Sequence, residues 1–70
     1  MRYAIVIEKI GEGFSAYVPD LPGCVASAQS RGAVERAIRE AIEFHLEGLK
    51  EEGDSPPLPS STVEYVEIPA

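Results

Sequence analysis

One unbroken stretch of helical period limits what this chain can fold into. From Arg31 to about Glu52, the residues Val34, Ala37, Ile38, Ala41, Ile42, His45, Leu46 and Leu49 recur at three- and four-residue spacing, which places them on one broad face. Arg36, Arg39, Glu40, Glu43, Glu47 and Lys50 fall opposite. Arg36–Glu40 and Arg39–Glu43 stand at i,i+4, where exposed ion pairs add roughly a few tenths of a kcal/mol each. Ser30 is placed to cap the amino end with its hydroxyl. Ala33, three residues on, supplies no reciprocal capping-box side chain. Gly53 falls just past the carboxyl end. A lone amphipathic helix has nothing of its own to pack against, so the flanking residues must supply a second layer.

Those residues read as strands. In Arg2–Lys9, Tyr3, Ile5 and Ile7 face one way and Ala4 and Val6 the other, a pattern that suits a strand covered on both faces. Ile10-Gly11-Glu12-Gly13 reads as a hairpin connection. Phe14–Val18 follows as a second strand, with Phe14, Ala16 and Val18 on one face. Two prolines in Pro19-Asp20-Leu21-Pro22-Gly23 end the ladder, since proline donates no hydrogen bond. Pro22-Gly23 suits the central pair of a type II turn. Cys24–Gln29 is a short third strand. After the helix, Asp54–Ser61 is a polar, proline-rich link. Thr62–Ile68 then reads as a fourth strand, Val63 and Tyr65 against Val66 and Ile68, closed by Pro69. The expected architecture is α+β in the order β-β-β-α-β. Three strands are antiparallel, and a fourth returns parallel to the first through a right-handed crossover. The helix covers one sheet face, and the other face is apolar enough to need a second cover.

Seventy residues make one domain, 1–70. At this size apolar burial and the entropy of ordering are each on the order of 100 kcal/mol, so an isolated monomer is marginal and a homo-oligomer, dimer or larger, is expected. Cys24 is the single cysteine, which rules out an internal disulfide. With His45 as the single histidine, no structural zinc site is expected. The longest apolar run, Ala4–Ile7, is far below the ~20 residues of a membrane span. No basic segment leads into a long apolar stretch at the amino end, and a cytoplasmic protein is expected. Six basic and twelve acidic side chains give a net charge of −6. Direct nucleic-acid binding is therefore not expected, because it relies on Lys and Arg against phosphates. The acidic excess serves either solubility or a basic protein partner, whose encounter it would steer.

The segment Val18-Pro19-Asp20-Leu21-Pro22-Gly23-Cys24, following Gly13-Phe14-Ser15-Ala16-Tyr17, resembles the HicB family of antitoxins. So does the helix with Ala37, Ala41, Ile42, His45 and Leu46, and the Gly53, Pro57 and Pro59 that follow; the resemblance runs from Tyr3 to Pro59. It implies a partial ribonuclease-H-like fold. It also implies binding and inhibition of HicA, a small basic mRNA-cleaving toxin with a double-stranded-RNA-binding-domain fold and a catalytic histidine. Many HicB antitoxins carry a C-terminal helix-turn-helix or ribbon-helix-helix domain that represses the operon. No C-terminal DNA-binding domain is expected here, and autorepression is not carried over. Before the helix, Ala28-Gln29-Ser30-Arg31-Gly32 stands where the family often has Gly-Asp-Thr and acidic residues, so no toxin contact is transferred to that position.

A ribonuclease-H-like fold raises the alternative of a metal-dependent nuclease, which needs carboxylates converging on Mg²⁺. Glu8, Glu43, Glu47 and Glu67 are the residues available, but Glu43 and Glu47 fall on the solvent side of the helix and no strand carries an Asp. His45 lacks a nucleophile or orienting carboxylate at a telling spacing and reads as a packed or interface residue. Cys24 has no basic neighbour and reads as a small buried residue. The Pro19–Cys24 turn either links two strands rigidly or presents Asp20 and Leu21 on a pre-organised loop. The expected function is a non-catalytic antitoxin without cofactor or metal, with Glu8, Glu12, Asp20 and Leu21 as contacts to a HicA-like ribonuclease toxin. The alternative is an oligomeric scaffold without a toxin.

Overall fold

The computed structural model describes residues 1–70. Three strands, β1 (Val6–Ile10), β2 (Gly13–Tyr17) and β3 (Val25–Ala28), precede one helix, α1 (Arg31–Glu51). The strands form one sheet in the order β1-β2-β3, both pairs antiparallel, as the short connections require. Ile7 stands opposite Ala16, and Ala16 opposite Ala26; one residue pair along, Phe14 faces Ala28. These residues make the face that packs on α1. Alanine at successive positions of that face keeps it shallow enough for the helix to lie close.

The buried core is small: Ala16, Val18, Leu21, Cys24, Val34 and Ile38. Tyr3, Ile5, Ile7, Phe14, Ala41, Ile42 and Leu46 pack around it, partly exposed. The opposite sheet face carries Val6, Glu8 and Ile10 on β1, Ser15 and Tyr17 on β2, and Val25 and Ser27 on β3. Ile10, Tyr17 and Val25 are exposed there, so the apolar face expected from the sequence lacks a second cover within the chain.

The helix ends follow their local chemistry. The Ser30 hydroxyl accepts from the Ala33 amide at 3.1 Å. At the other end Gly53 adopts φ 79°, the left-handed conformation that closes a Schellman motif. Its amide donates to Lys50 O at 3.1 Å, and the Asp54 amide to Leu49 O at 2.9 Å. Of the broad apolar face read from the sequence, only Val34 and Ile38 are fully buried. The reason is length. At ~1.5 Å per residue the 21-residue helix runs about 31 Å, while the five-residue strands span about 17 Å. The carboxyl half overhangs the sheet: His45, Leu46 and Leu49 are half-buried and Phe44 is exposed. No helix is long and apolar enough to cross a membrane.

Two expectations are corrected. Strand β1 starts at Val6 rather than Arg2, because its partner β2 ends at Tyr17 and Pro19 can offer no amide beyond it. Thr62–Ile68 does not form a fourth strand parallel to β1. It has no strand partner, and each of its residues is exposed. A strand needs a neighbouring backbone to take its hydrogen bonds, and the chain does not bring this segment to one. The molecule is correspondingly elongated. Its radius of gyration is 13.8 Å, where a compact chain of this length would have about 11 Å.

Leu21 is the largest fully buried side chain. Leu21→Ala is expected to cost about 2–5 kcal/mol, comparable to the whole stability of a domain this small. Urea unfolding followed by the helical circular dichroism of α1 measures it. A loss under about 1 kcal/mol would show that Leu21 is not the core's keystone.

Candidate functional site

Between β2 and β3 the chain makes two β-turns in succession. The Leu21 amide donates to Val18 O, and the Cys24 amide to Leu21 O, both at 3.1 Å. The prolines Pro19 and Pro22 occupy the second position of each turn, where their fixed φ is already correct. Gly23 takes φ 82° at the third position of the second turn, as a type II turn demands. The Val18 amide then closes the loop on Cys24 O at 3.2 Å. Leu21 is the shared corner residue, and its side chain turns inward to 0% exposure.

Asp20, next to it, turns outward and binds a distant part of the chain. Its Oδ2 accepts from the amides of Ser60 at 2.9 Å and Ser61 at 3.0 Å. Its Oδ1 accepts from the hydroxyls of Ser61 at 2.7 Å and Ser60 at 3.2 Å. Four donors converge on one carboxylate. They hold its pKa down to about 2, the Ser61 amide contributing most and the Ser60 amide next, against a small opposing effect of desolvation. Upstream, the Tyr3 hydroxyl donates to Pro57 O at 2.5 Å. The link after the helix is thus fastened at two points across one end of the sheet.

The structure separates the four residues expected to contact a partner. Glu8 is exposed on the open face of β1, and Glu12 is exposed in the β1–β2 turn. Asp20 is half-buried and committed to Ser60 and Ser61. Leu21 is not presented to solvent at all; the double turn aims it into the core. The partners of Asp20 went unread in the sequence because they lie 40 and 41 residues away. The available signal was two hydroxyl residues directly after Pro59, a pairing that becomes visible only when the turn and the link meet. Cys24 is buried and free, and burial pushes its thiol above the ordinary range. Of the carboxylates considered for a metal, none is grouped with two further His, Cys, Asp or Glu side chains. The open sheet face leaves Tyr17, Val25 and Ile10 exposed around Glu8, a surface suited to another protein.

The Asp20 clamp has a definite pH signature. Its folded pKa of about 2 lies below the ordinary 3.8, so the clamp stabilises fully above pH 3.8 and is lost as pH falls toward 2. The amide resonances of Ser60 and Ser61 are expected to titrate with a midpoint near pH 2, and this titration vanishes in Asp20→Asn. A midpoint at 3.8 would mean that the carboxylate does not hold the serines in solution.

Comparison with known proteins agrees with this geometry. Residues 3–70 match the family model of the HicB-like antitoxin of bacterial toxin–antitoxin systems. An uncharacterised 14.9 kDa protein of Haemophilus phage HP1, from its rep-hol intergenic region, is 35% identical over 69 residues. That match covers 99% of this chain and 52% of the phage protein, so the chain spans about half of that relative's length. A UPF0150 protein of Archaeoglobus fulgidus is 45% identical over 51 residues, 71% of this chain and 74% of its own length. A UPF0150 protein of Thermoplasma acidophilum is 30% identical over 71 residues and the full length of both. Among solved structures, a chain of the HicA3 and HicB3 toxin–antitoxin complex superposes with a TM-score of 0.71 at 35% identity, covering 84% of this chain and 70% of that one. With its double turn, small antiparallel sheet and single long helix, this chain belongs to the HicB-like antitoxin family.

Proposed function

We propose that this chain is the antitoxin of a type II toxin–antitoxin pair, a non-catalytic cytoplasmic protein that binds and neutralises a small basic HicA-like mRNA-cleaving toxin. The observation that carries the reading is its likeness to a chain in the HicA3 and HicB3 complex, at 35% identity over most of its length. The physical chemistry is consistent with such a role. A net charge of −6 favours encounter with a basic protein and disfavours a phosphate backbone. The open sheet face offers apolar side chains, Ile10, Tyr17 and Val25, around a polar centre of Glu8, Ser15 and Ser27. Docking there would mask the toxin's RNA-binding and catalytic surface. Glu8 and Glu12 are the proposed contacts, and the Pro19–Cys24 turn gives the sheet end its rigid shape. The fold reads as a partial ribonuclease-H-like unit used for binding, and the protein acts as a homo-oligomer.

A scaffold role without a toxin is the second reading. The exposure of Ile10, Tyr17 and Val25 favours it, since the same face would serve self-association. Co-expression with the neighbouring small basic protein, if one is encoded, separates the two. The antitoxin reading expects a stable complex and relief of growth arrest. Absence of both would overturn it. In the complex, Glu8→Lys with Glu12→Lys is expected to slow association about tenfold at low salt, with the unfolding transition unchanged. An unaltered association rate would remove these two residues from the interface.

A further inference from the structure

We propose that Thr62–Ile68 is an exchanged strand, which pairs with the β1 edge of a second copy of this chain and builds the homo-oligomer from reciprocal strand addition. The inference rests on the self-association proposed above and names the segment and the edge that make it.

The segment has the sequence of a strand and the surroundings of none. Val63, Tyr65, Val66 and Ile68 are four large apolar side chains in six residues, and they are 52%, 94%, 77% and 72% exposed. β-branched and aromatic residues in an extended run suit a pleated, half-buried surface. Left in water, with backbone donors and acceptors unpaired by any strand, such a run is a template for edge pairing.

The route of the chain explains why the partner is not its own sheet. A strand lying parallel beside β1 would have to begin where β1 begins. The chain passes that end early, where the Tyr3 hydroxyl holds Pro57. Three residues later, Asp20 takes Ser60 and Ser61 at the β2–β3 turn. Thr62 therefore leaves from the β2–β3 turn, at the same end of the sheet as the start of β1 but across β2 from the β1 edge, with its root fixed by four hydrogen bonds to one carboxylate. Fixing the root sets the direction of exit and lowers the entropy lost when the segment docks elsewhere.

The receiving surface is present on every copy. Strand β1 pairs with β2 alone, so its outer edge is free. Beside its approach, a groove runs between the residues leading into β1 and helix α1, with Tyr3, Ile5, Ile38 and Ile42 on its walls. Arg2 and Arg39 line it together with Glu35 and Glu43, so the groove is balanced in charge on a molecule of net −6. Glu64 and Glu67 of the incoming segment meet arginines there as well as acids. The areas agree. The chain exposes 5622 Å² against ~4,200 Å² for a compact chain of this mass, a surplus of about 1,400 Å². Part of that surplus is the surface of Val63, Tyr65, Val66 and Ile68, which docking on a second copy would cover.

The experiment is sedimentation of the full chain over a range of concentrations, with hydrogen exchange on the same samples. The expected result is a dimer in which the amides of Thr62–Ile68 exchange at least about tenfold more slowly than in the dilute monomer. Val66→Pro, which deletes a donor in an exposed segment, is expected to return a monomer with the α1 circular dichroism intact. A monomer at every concentration would overturn both this inference and the self-association it rests on. A dimer with unprotected Thr62–Ile68, or one that survives Val66→Pro, would overturn the strand exchange alone. Protection of the segment in a monomer would place it on its own sheet and overturn the exchange too.

Discussion

Leu21 sits at the corner shared by two successive β-turns, with its backbone amide and carbonyl each closing one of them and its side chain wholly buried among Ala16, Val18, Cys24, Val34 and Ile38. That arrangement ties together events that would otherwise be independent. The turn chemistry of Pro19, Pro22 and Gly23 fixes where the leucine points. The buried leucine in turn fixes how the β2–β3 connection lies against α1. With only six residues fully buried in the chain, one well-placed side chain carries an unusual share of the apolar contact.

The same turn organises the surface. Because Leu21 goes inward, Asp20 is thrown outward, and its carboxylate gathers Ser60 and Ser61 from 40 and 41 residues further along the chain. The link after the helix is thereby fixed at one end of the sheet and the other sheet face is left bare. A small HicB-like unit thus keeps two unsatisfied features together, an uncovered apolar face and a strand-like segment without a strand partner. Both are suited to protein association.

Much of the fold was legible residue by residue. The alternation of Phe14, Ala16 and Val18 named the inner face of β2, the Ser30 hydroxyl named the helix start, and Gly53 named its end. These are local effects, set by side-chain direction and by φ. The extent of burial along α1 was less legible. Periodicity marks which face is apolar, but the length of the opposing sheet decides how much of that face is covered, which is why Ile38 is buried and Leu49 only half so. Leu21 misled for a related reason. A proline-glycine turn announces a bend, and a bend suggests exposure, yet two bends in a row return the corner residue to the interior.

By itself the sequence determined the turns, the caps, the strand faces and the acidic balance, because each depends on neighbours within a few positions or on a simple sum. Only the tertiary structure decided that Asp20 is a clamp rather than a free contact and that Thr62–Ile68 goes unpaired within the chain. Both outcomes depend on which distant backbones meet. A carboxylate's donors, like a strand's hydrogen bonds, come from whatever the fold brings alongside, and nothing local in the chain specifies that neighbour.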